Sequence, residues 1–170
     1  MNKKSRQKQY IVVGLGRFGR AIAETLCQDG AEVLGVDRRM DVVERLRDEL
    51  TQTIQMDAMD RDALETLGVR DFDIVFVTMG SDIRASGTIV LLLKELGARR
   101  IIAKAHDEFH GRMLEKLGAE LDIEKCIQRI KSQQAEAKEL LDFSDELIAM
   151  VDEANEKLRK AINSDKPKEE

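Results

Sequence analysis

Residues 10–19 read YIVVGLGRFG. A short β-rich apolar run, Tyr10–Val13, leads straight into Gly14-Leu15-Gly16-Arg17-Phe18-Gly19, and a helical pattern follows. This is a GxGxxG placed between a strand and a helix, where a nucleotide site needs it. Gly14 permits the tight turn, Gly16 has no side chain to block a pyrophosphate, and Gly19 lets the helix pack close to the strand. The helix start then offers free N–H groups and a partial positive charge to phosphates. Asp37 closes the second β-rich run, 23 residues after Gly14. A carboxylate there accepts hydrogen bonds from both ribose hydroxyls and repels a 2′-phosphate.

The runs Tyr10–Val13, Glu32–Val36, Thr53–Met56, Ile74–Thr78 and Arg100–Lys104 read as strands. Several are apolar on both faces, as in a parallel sheet covered by helices. Helical patterns lie between them at Phe18–Asp29, Asp41–Leu50, Asp60–Leu67 and Asp82–Leu96, and glycines mark several of their ends. The alternation predicts an α/β fold, a Rossmann-like doubly wound parallel sheet with a C-terminal helical extension. Ligands of such sheets bind at the carboxyl ends of the strands. That selects Asp57-Ala58, Thr78-Met79-Gly80, and Lys104 with His106. Asp57 could accept from an adenine amino group, Gly80 would allow close approach, and Lys104 could meet a phosphate. Each also reads as a loop or cap residue, and Asp82 as support for the start of the fourth helix. Arg38 and Arg39 read either as a solvated helix start or as an adenine stacker that softens the bias against a 2′-phosphate. Arg17 points to the phosphate side of the loop, which brings ATP or ADP into consideration beside NAD.

The chain has 170 residues, 42% of them apolar, and a formal net charge of −5. That balance argues against a general nucleic-acid coat. Cys27 and Cys126 sit in helix-like patterns without a CxxC or Cys/His cluster and read as reduced structural thiols, not as metal ligands. No apolar run approaches the roughly 20 residues of a membrane span. The start, MNKKSRQKQ, lacks the apolar core of a signal peptide and reads as a basic tail over residues 1–9. Residues 10–119 form the nucleotide-binding domain on this reading. From Ala119 onward there are 9 basic and 14 acidic side chains, so this end carries the whole net charge. Ile127, Ile130, Ala137, Leu141, Ser144, Ile148, Val151, Leu158 and Ile162 recur at three-four spacing, with Gln134 and Asn155 in the gaps and Leu140, Leu147, Ala154 and Ala161 widening the stripe. Residues 120–163 are therefore a helical extension, either one long helix with a dimer seam and Asn155 fixing register, or two helices broken near Asp142–Ser144 that fold back. Residues 164–170 read as a disordered tail.

Several segments in order resemble a known family. GLGRFG, the strand ending in Asp37, MDAMD at Met56–Asp60, LGVRDFDIVFVTMGSD at 67–82, LLLKELGARRIIAKA at 91–105 and MLEKLGA at Met113–Ala119 resemble the N-terminal lobe of RCK domains, the regulators of potassium conductance, as in the peripheral subunits of Trk/Ktr-type potassium transporters. The resemblance covers about Tyr10–Ala119. It implies a dimerising Rossmann fold, usually assembled into an octameric ring under a potassium channel, with bound ATP, ADP or NAD(H) altering the gate. It implies that Gly14, Gly16, Arg17 and Gly19 hold the phosphates, Asp37 the ribose, Arg38 and Asp57 the adenine flanks, and that Lys104 lies near the phosphates. After Ala119 the chain departs from the family: Glu120–Cys126 is shorter than the usual sixth strand and turn, and lacks its proline. Glu124 is placed near a glutamate that in the family can join an intersubunit cation site.

The reading that follows is a cytoplasmic adenine-nucleotide-binding regulatory subunit (ATP/ADP or NAD/NADH), not an enzyme. It is a homodimer or larger homo-oligomer, held at the inner face of the membrane by a potassium channel or transporter, and it does not bind nucleic acid. The alternatives are an NAD-dependent oxidoreductase domain and a helical dimerisation scaffold. For the oxidoreductase, His106 and His110 are the only histidines. They read mainly as surface or capping residues near a helix start.

Overall fold

The computed structural model describes residues 7–164. Strands β1 (Gln9–Val13), β2 (Glu32–Asp37), β3 (Gln52–Gln55), β4 (Ile74–Val77) and β5 (Ile101–Ala103) alternate with helices α1 (Arg17–Gln28), α2 (Met40–Arg45), α3 (Arg61–Thr66), α4 (Ile83–Glu95) and α5 (Glu108–Lys116), and α6 (Ile123–Ser164) follows. The sheet order is β3-β2-β1-β4-β5 and every pairing is parallel. The order reverses between β1 and β4. The loops leaving the carboxyl ends of those two strands diverge there and leave a crevice.

Burial follows strand position. Tyr10–Val13 of β1 and all of β4 and β5 are buried, which is why these runs are apolar on both faces. β3 lies at the edge, and its terminal glutamines are exposed. Ile11, Val13, Val75, Val77, Ile89, Leu93 and Ile101 form the centre of the core. Each contributes at most about 1.5–3 kcal/mol by leaving water. Aspartates start four helices: Asp60 accepts from the N–H groups of Asp62 and Ala63, Asp82 from Ala85, Asp107 from His110, and Asp122 from Lys125.

Two elements differ from expectation. The second helix ends at Arg45, and residues up to Leu50 continue as turns in which bonds such as Arg47 N–H to Glu44 O and Glu49 N–H to Leu46 O skip the helical step. Val42, Val43, Leu46 and Leu50 are all buried, so the turns keep the apolar spacing of a helix. After α5, Glu120 makes a single parallel bridge to Ile102, with Ala103 N–H donating to Glu120 O and Glu120 N–H donating to Ile101 O. One residue is all that remains here of a sixth strand.

The chain divides after Cys126 into two compact units. The second consists of α6 residues, and the helix runs without a break through Asp142–Ser144. Leu141, Ile148, Met150 and Val151 are each more than half exposed. The side chains of Glu124, Ala137, Leu140, Leu147, Ala154, Asn155, Leu158, Ala161 and Ile162 lie outside the described residues, as do residues 1–6 and 165–170 of the two expected tails.

Candidate functional site

The loop between β1 and α1 is built by three glycines doing different things. Gly14 has φ +91°, and a Cβ there would come within 2.7 Å of Met79 Cγ. A Cβ on Gly19 would stand 1.9 Å from the carbonyl oxygen of Gly14, so only glycine lets α1 begin this close to the strand. Gly16, the N-cap of α1, would meet nothing within 4 Å. The protein itself does not require glycine at 16, and the loop is open there to the close approach that the sequence reading assigns to a pyrophosphate. Thr78, from the end of β4, locks the loop: its hydroxyl lies 2.5 Å from Gly14 O and 3.1 Å from Val13 O and donates to them.

Asp37 is 7% exposed, at the end of β2. Its Oδ2 accepts from Leu15 N–H at 2.9 Å, and its Oδ1 accepts from Arg39 N–H at 2.9 Å and Arg39 Nε at 3.3 Å. Burial pushes the carboxyl up. The N–H groups of Arg39 and Leu15, with the Arg39 guanidinium, outweigh it and hold the group below its ordinary value. The carboxylate is thus ionised and already bound by its own chain. Oδ2 keeps one open acceptor site, while Oδ1 is shared with Arg39. Accepting both ribose hydroxyls, as the sequence suggests, requires the long Arg39 Nε contact to give way.

Two hollows meet at Gly16, Thr78 and Ser81. The first, of about 330 Å³, runs from the carboxyl end of β1 toward β3 and is lined by Gly14, Asp37, Arg38, Asp57 and Ala58, with Met56, Met59 and Met79 supplying apolar walls. The second, of about 770 Å³, lies over the start of α1 and the end of β5. It is lined by Arg17, Phe18, Gly19, Gly80, Lys104 and His106, and it contains no carboxylate. Lys104 Nζ sits 4.4 Å above the centre of the Phe18 ring. The Lys104 stem runs past Gly80, whose missing Cβ would touch it at 3.4 Å. Asp57 makes a local turn, accepting from Met59 N–H. Leu15 turns its side chain into the core against Gly35, so only its backbone faces the site. Ligand-sized sites fall in this range of volumes.

The residue types suit an adenine nucleotide: thioether and aliphatic walls for the base, Asp37 for the ribose, an open glycine and a helix start for the phosphates, and unpaired cations beyond them. Arg39, read from the sequence as a solvated helix start or an adenine stacker, is turned back onto Asp37 instead; its place two residues after that carboxylate was the available signal. Ser81, Met56 and Met59 were missed, since nothing in their spacing distinguishes cleft walls from core.

The histidines separate. His106 is exposed at the edge of the second hollow. His110 is no surface residue but fully buried, because its ring completes an internal polar chain. Its Nδ1 accepts from His106 N–H at 3.1 Å, which leaves Nε2–H to donate to Ser86 Oγ at 2.7 Å, and Ser86 donates to Ile83 O. Both ring nitrogens are consumed, so His110 has no nitrogen left for catalytic proton transfer.

Comparison with known proteins agrees with this geometry. The TrkA-N domain model matches residues 10–124. The chain belongs to the TrkA-N (RCK) family. It is similar to Ktr system potassium uptake protein C of Bacillus subtilis (39% identical over 114 residues, 67% of this chain and 52% of that protein). It is also similar to Ktr system potassium uptake protein A of the same organism (40% over 115 residues, 68% and 52%). The chain thus spans about half the length of the curated relatives it matches. Among solved structures, the NAD(P)-binding domain of an exopolyphosphatase-related protein from Archaeoglobus fulgidus superposes with a TM-score of 0.62 at 21% identity, covering 77% of this chain and 99% of that one. The GsuK channel bound to NAD gives 0.60 at 17% identity, covering 69% and 21%. GsuK bound to ADP gives 0.59 at 17%, covering 68% and 30%. These structural likenesses establish the fold. Among the described residues no helix is long and apolar enough to cross a membrane, and no group of three or more His, Cys, Asp or Glu is placed to hold a metal ion.

Proposed function

We propose that the chain is an adenine-nucleotide-responsive regulatory subunit of a potassium uptake system. It works in the cytoplasm, at the membrane through a channel or transporter partner, and as a homodimer or larger homo-oligomer. The observation that carries the reading is the paired hollow at the β1/β4 crossover: a ribose-binding carboxylate on one side of an unobstructed Gly16, and unpaired cations on the other. The likeness to two Ktr potassium uptake proteins supports the biological role, and the like-folded GsuK channel, bound to NAD and bound to ADP, supports the ligand class. Arg17 and Lys104, which form no ion pair with another described residue, suit a terminal phosphate better than an uncharged nicotinamide, which favours ATP/ADP over NAD/NADH. The regulatory reading is preferred to an oxidoreductase because the similar Ktr proteins are potassium uptake proteins, and because His110 is engaged in the core, which leaves His106 at the rim of the second hollow as the one histidine near the cleft. Regulation then follows from population shift: the nucleotide acts only as far as it binds one arrangement of the assembly better than another.

The test is a thermal-shift series with ATP, ADP, NAD, NADH and NADP. A ligand at a hundredfold excess over its Kd stabilises by about 2.7 kcal/mol. The expected result is a rise with ATP and ADP. A flat response to all five would remove the nucleotide reading, and a rise confined to NAD and NADH would move the choice to the dinucleotide.

A further inference from the structure

Along α6, Lys131, Lys138, Asp145 and Asp152 are exposed and recur every seven residues, so they form one row on the helix. None of these four side chains takes part in an ion pair or hydrogen bond with another described residue. Beside the row runs an apolar face. Leu141, Ile148 and Val151 are 63%, 58% and 57% exposed, with exposed Ser144 between them. Ile130 is already buried, so the free face begins beyond it.

We propose that this stretch of α6 docks antiparallel on α6 of a second copy, about a two-fold axis near residue 142. The row reads Lys, Lys, Asp, Asp, which is its own complement when reversed. In an antiparallel helix pair the row on one flank of the seam faces the same row of the other copy. Lys131 then stands opposite Asp152 of the second copy and Lys138 opposite Asp145, and symmetry doubles both pairs. The same register sets Leu141 opposite Ser144 of the second copy, large against small, so the central layers fill evenly. A parallel pair would instead face the row with the other flank of the seam, where positions 133, 140, 147 and 154 carry no charge in the sequence. The stretch from 131 to 152 spans about 32 Å of helix at ~1.5 Å per residue. Exposed ion pairs contribute only about 0.2–1 kcal/mol each. They therefore choose direction and register, while the apolar face supplies the attraction.

The inference does not depend on which nucleotide fills the cleft. It is tested on the full chain by sedimentation equilibrium with two double exchanges that leave the net charge unchanged. Lys138→Asp with Asp152→Lys sets like charges opposite at every pair. Lys138→Asp with Asp145→Lys keeps every pair opposite in sign. The first should weaken self-association by about tenfold or more, and the second should leave it within about threefold of wild type. Equal behaviour of the two variants, whether both self-associate normally or both are weakened, overturns the proposal, as does a monomeric wild type. The nucleotide-induced thermal shift, read on the same samples, tests the proposed function separately, since neither exchange touches the cleft.

Discussion

The two sides of the cleft are prepared in opposite ways. On the ribose side, Asp37 is buried and held by Leu15 and Arg39. On the proposed phosphate side, Arg17 and Lys104 line a hollow whose own lining has no carboxylate, and Lys104 runs past Gly80 to rest on the Phe18 ring. The first arrangement stabilises the loop whether or not a ligand is present, and under the proposed function the ribose would share it. The second holds no ion pair on Arg17 or Lys104 among the described residues, and under the proposed function a phosphate would supply one. Substitutions on the ribose side should thus damage fold and binding together, whereas those on the phosphate side should damage binding alone.

Gly19→Ala should break the site most severely. Its Cβ would meet a backbone carbonyl at 1.9 Å, and the strain of forcing such overpacking is typically about 1–3 kcal/mol or more. Calorimetric unfolding should show a midpoint lowered by several degrees and no nucleotide response. Asp37→Ala comes next: it orphans two N–H groups, one of them buried, at about 1–3 kcal/mol, and should weaken every adenine ribonucleotide. Because the folded pKa of Asp37 is depressed, its stabilising contribution is complete above the unfolded value of about 3.9 and fades as pH falls through the folded one. Denaturant titrations of wild type and variant should therefore converge on acidification, and a gap that stays constant down to low pH would contradict the ionised, hydrogen-bonded carboxylate.

Gly16→Ala sharpens the contrast, since nothing in the protein stands within 4 Å of the added methyl. Stability should change by no more than about 0.5–1 kcal/mol, the loss of a good N-cap, while titration calorimetry should find nucleotide affinity reduced tenfold or more. A variant that binds normally would mean the phosphates pass elsewhere. Arg17→Ala should have the smallest effect, with stability unchanged and the ratio of ATP to ADP affinity narrowed. An unaltered ratio would remove Arg17 from the terminal phosphate.

The sequence made the sheet legible because β1, β4 and β5 are apolar on both faces, and the glycine loop fixed where the ligand crevice opens. Two errors have a common cause. Leu46 and Leu50 keep helical spacing and donate to the carbonyl four residues back, but Arg47 and Glu49 donate only three back, so the regular helix ends while its apolar face goes on; and His110 sits where a surface helix start was expected yet is buried by Ser86 and its neighbours. Periodicity reports which side chains turn inward, not which backbone path brings them there. The bond of Arg39 to Asp37 escaped for a different reason. Asp37 was read as an acceptor waiting for a ribose, and the chain's own donors, two residues away and across the loop, were not counted.

The Thr78 bond to Gly14 also sets the order in which the protein can be made. It joins residues 64 apart, and β1 has β4 as one of its two sheet partners. A chain emerging from the ribosome can pair β1 with β2 early. It cannot close the glycine loop until Thr78 is out, and it lacks the Lys104 wall for longer still. Contacts this distant in sequence form late. Nucleotide capture is therefore unavailable to the first half of a growing chain and becomes a property of the nearly completed domain.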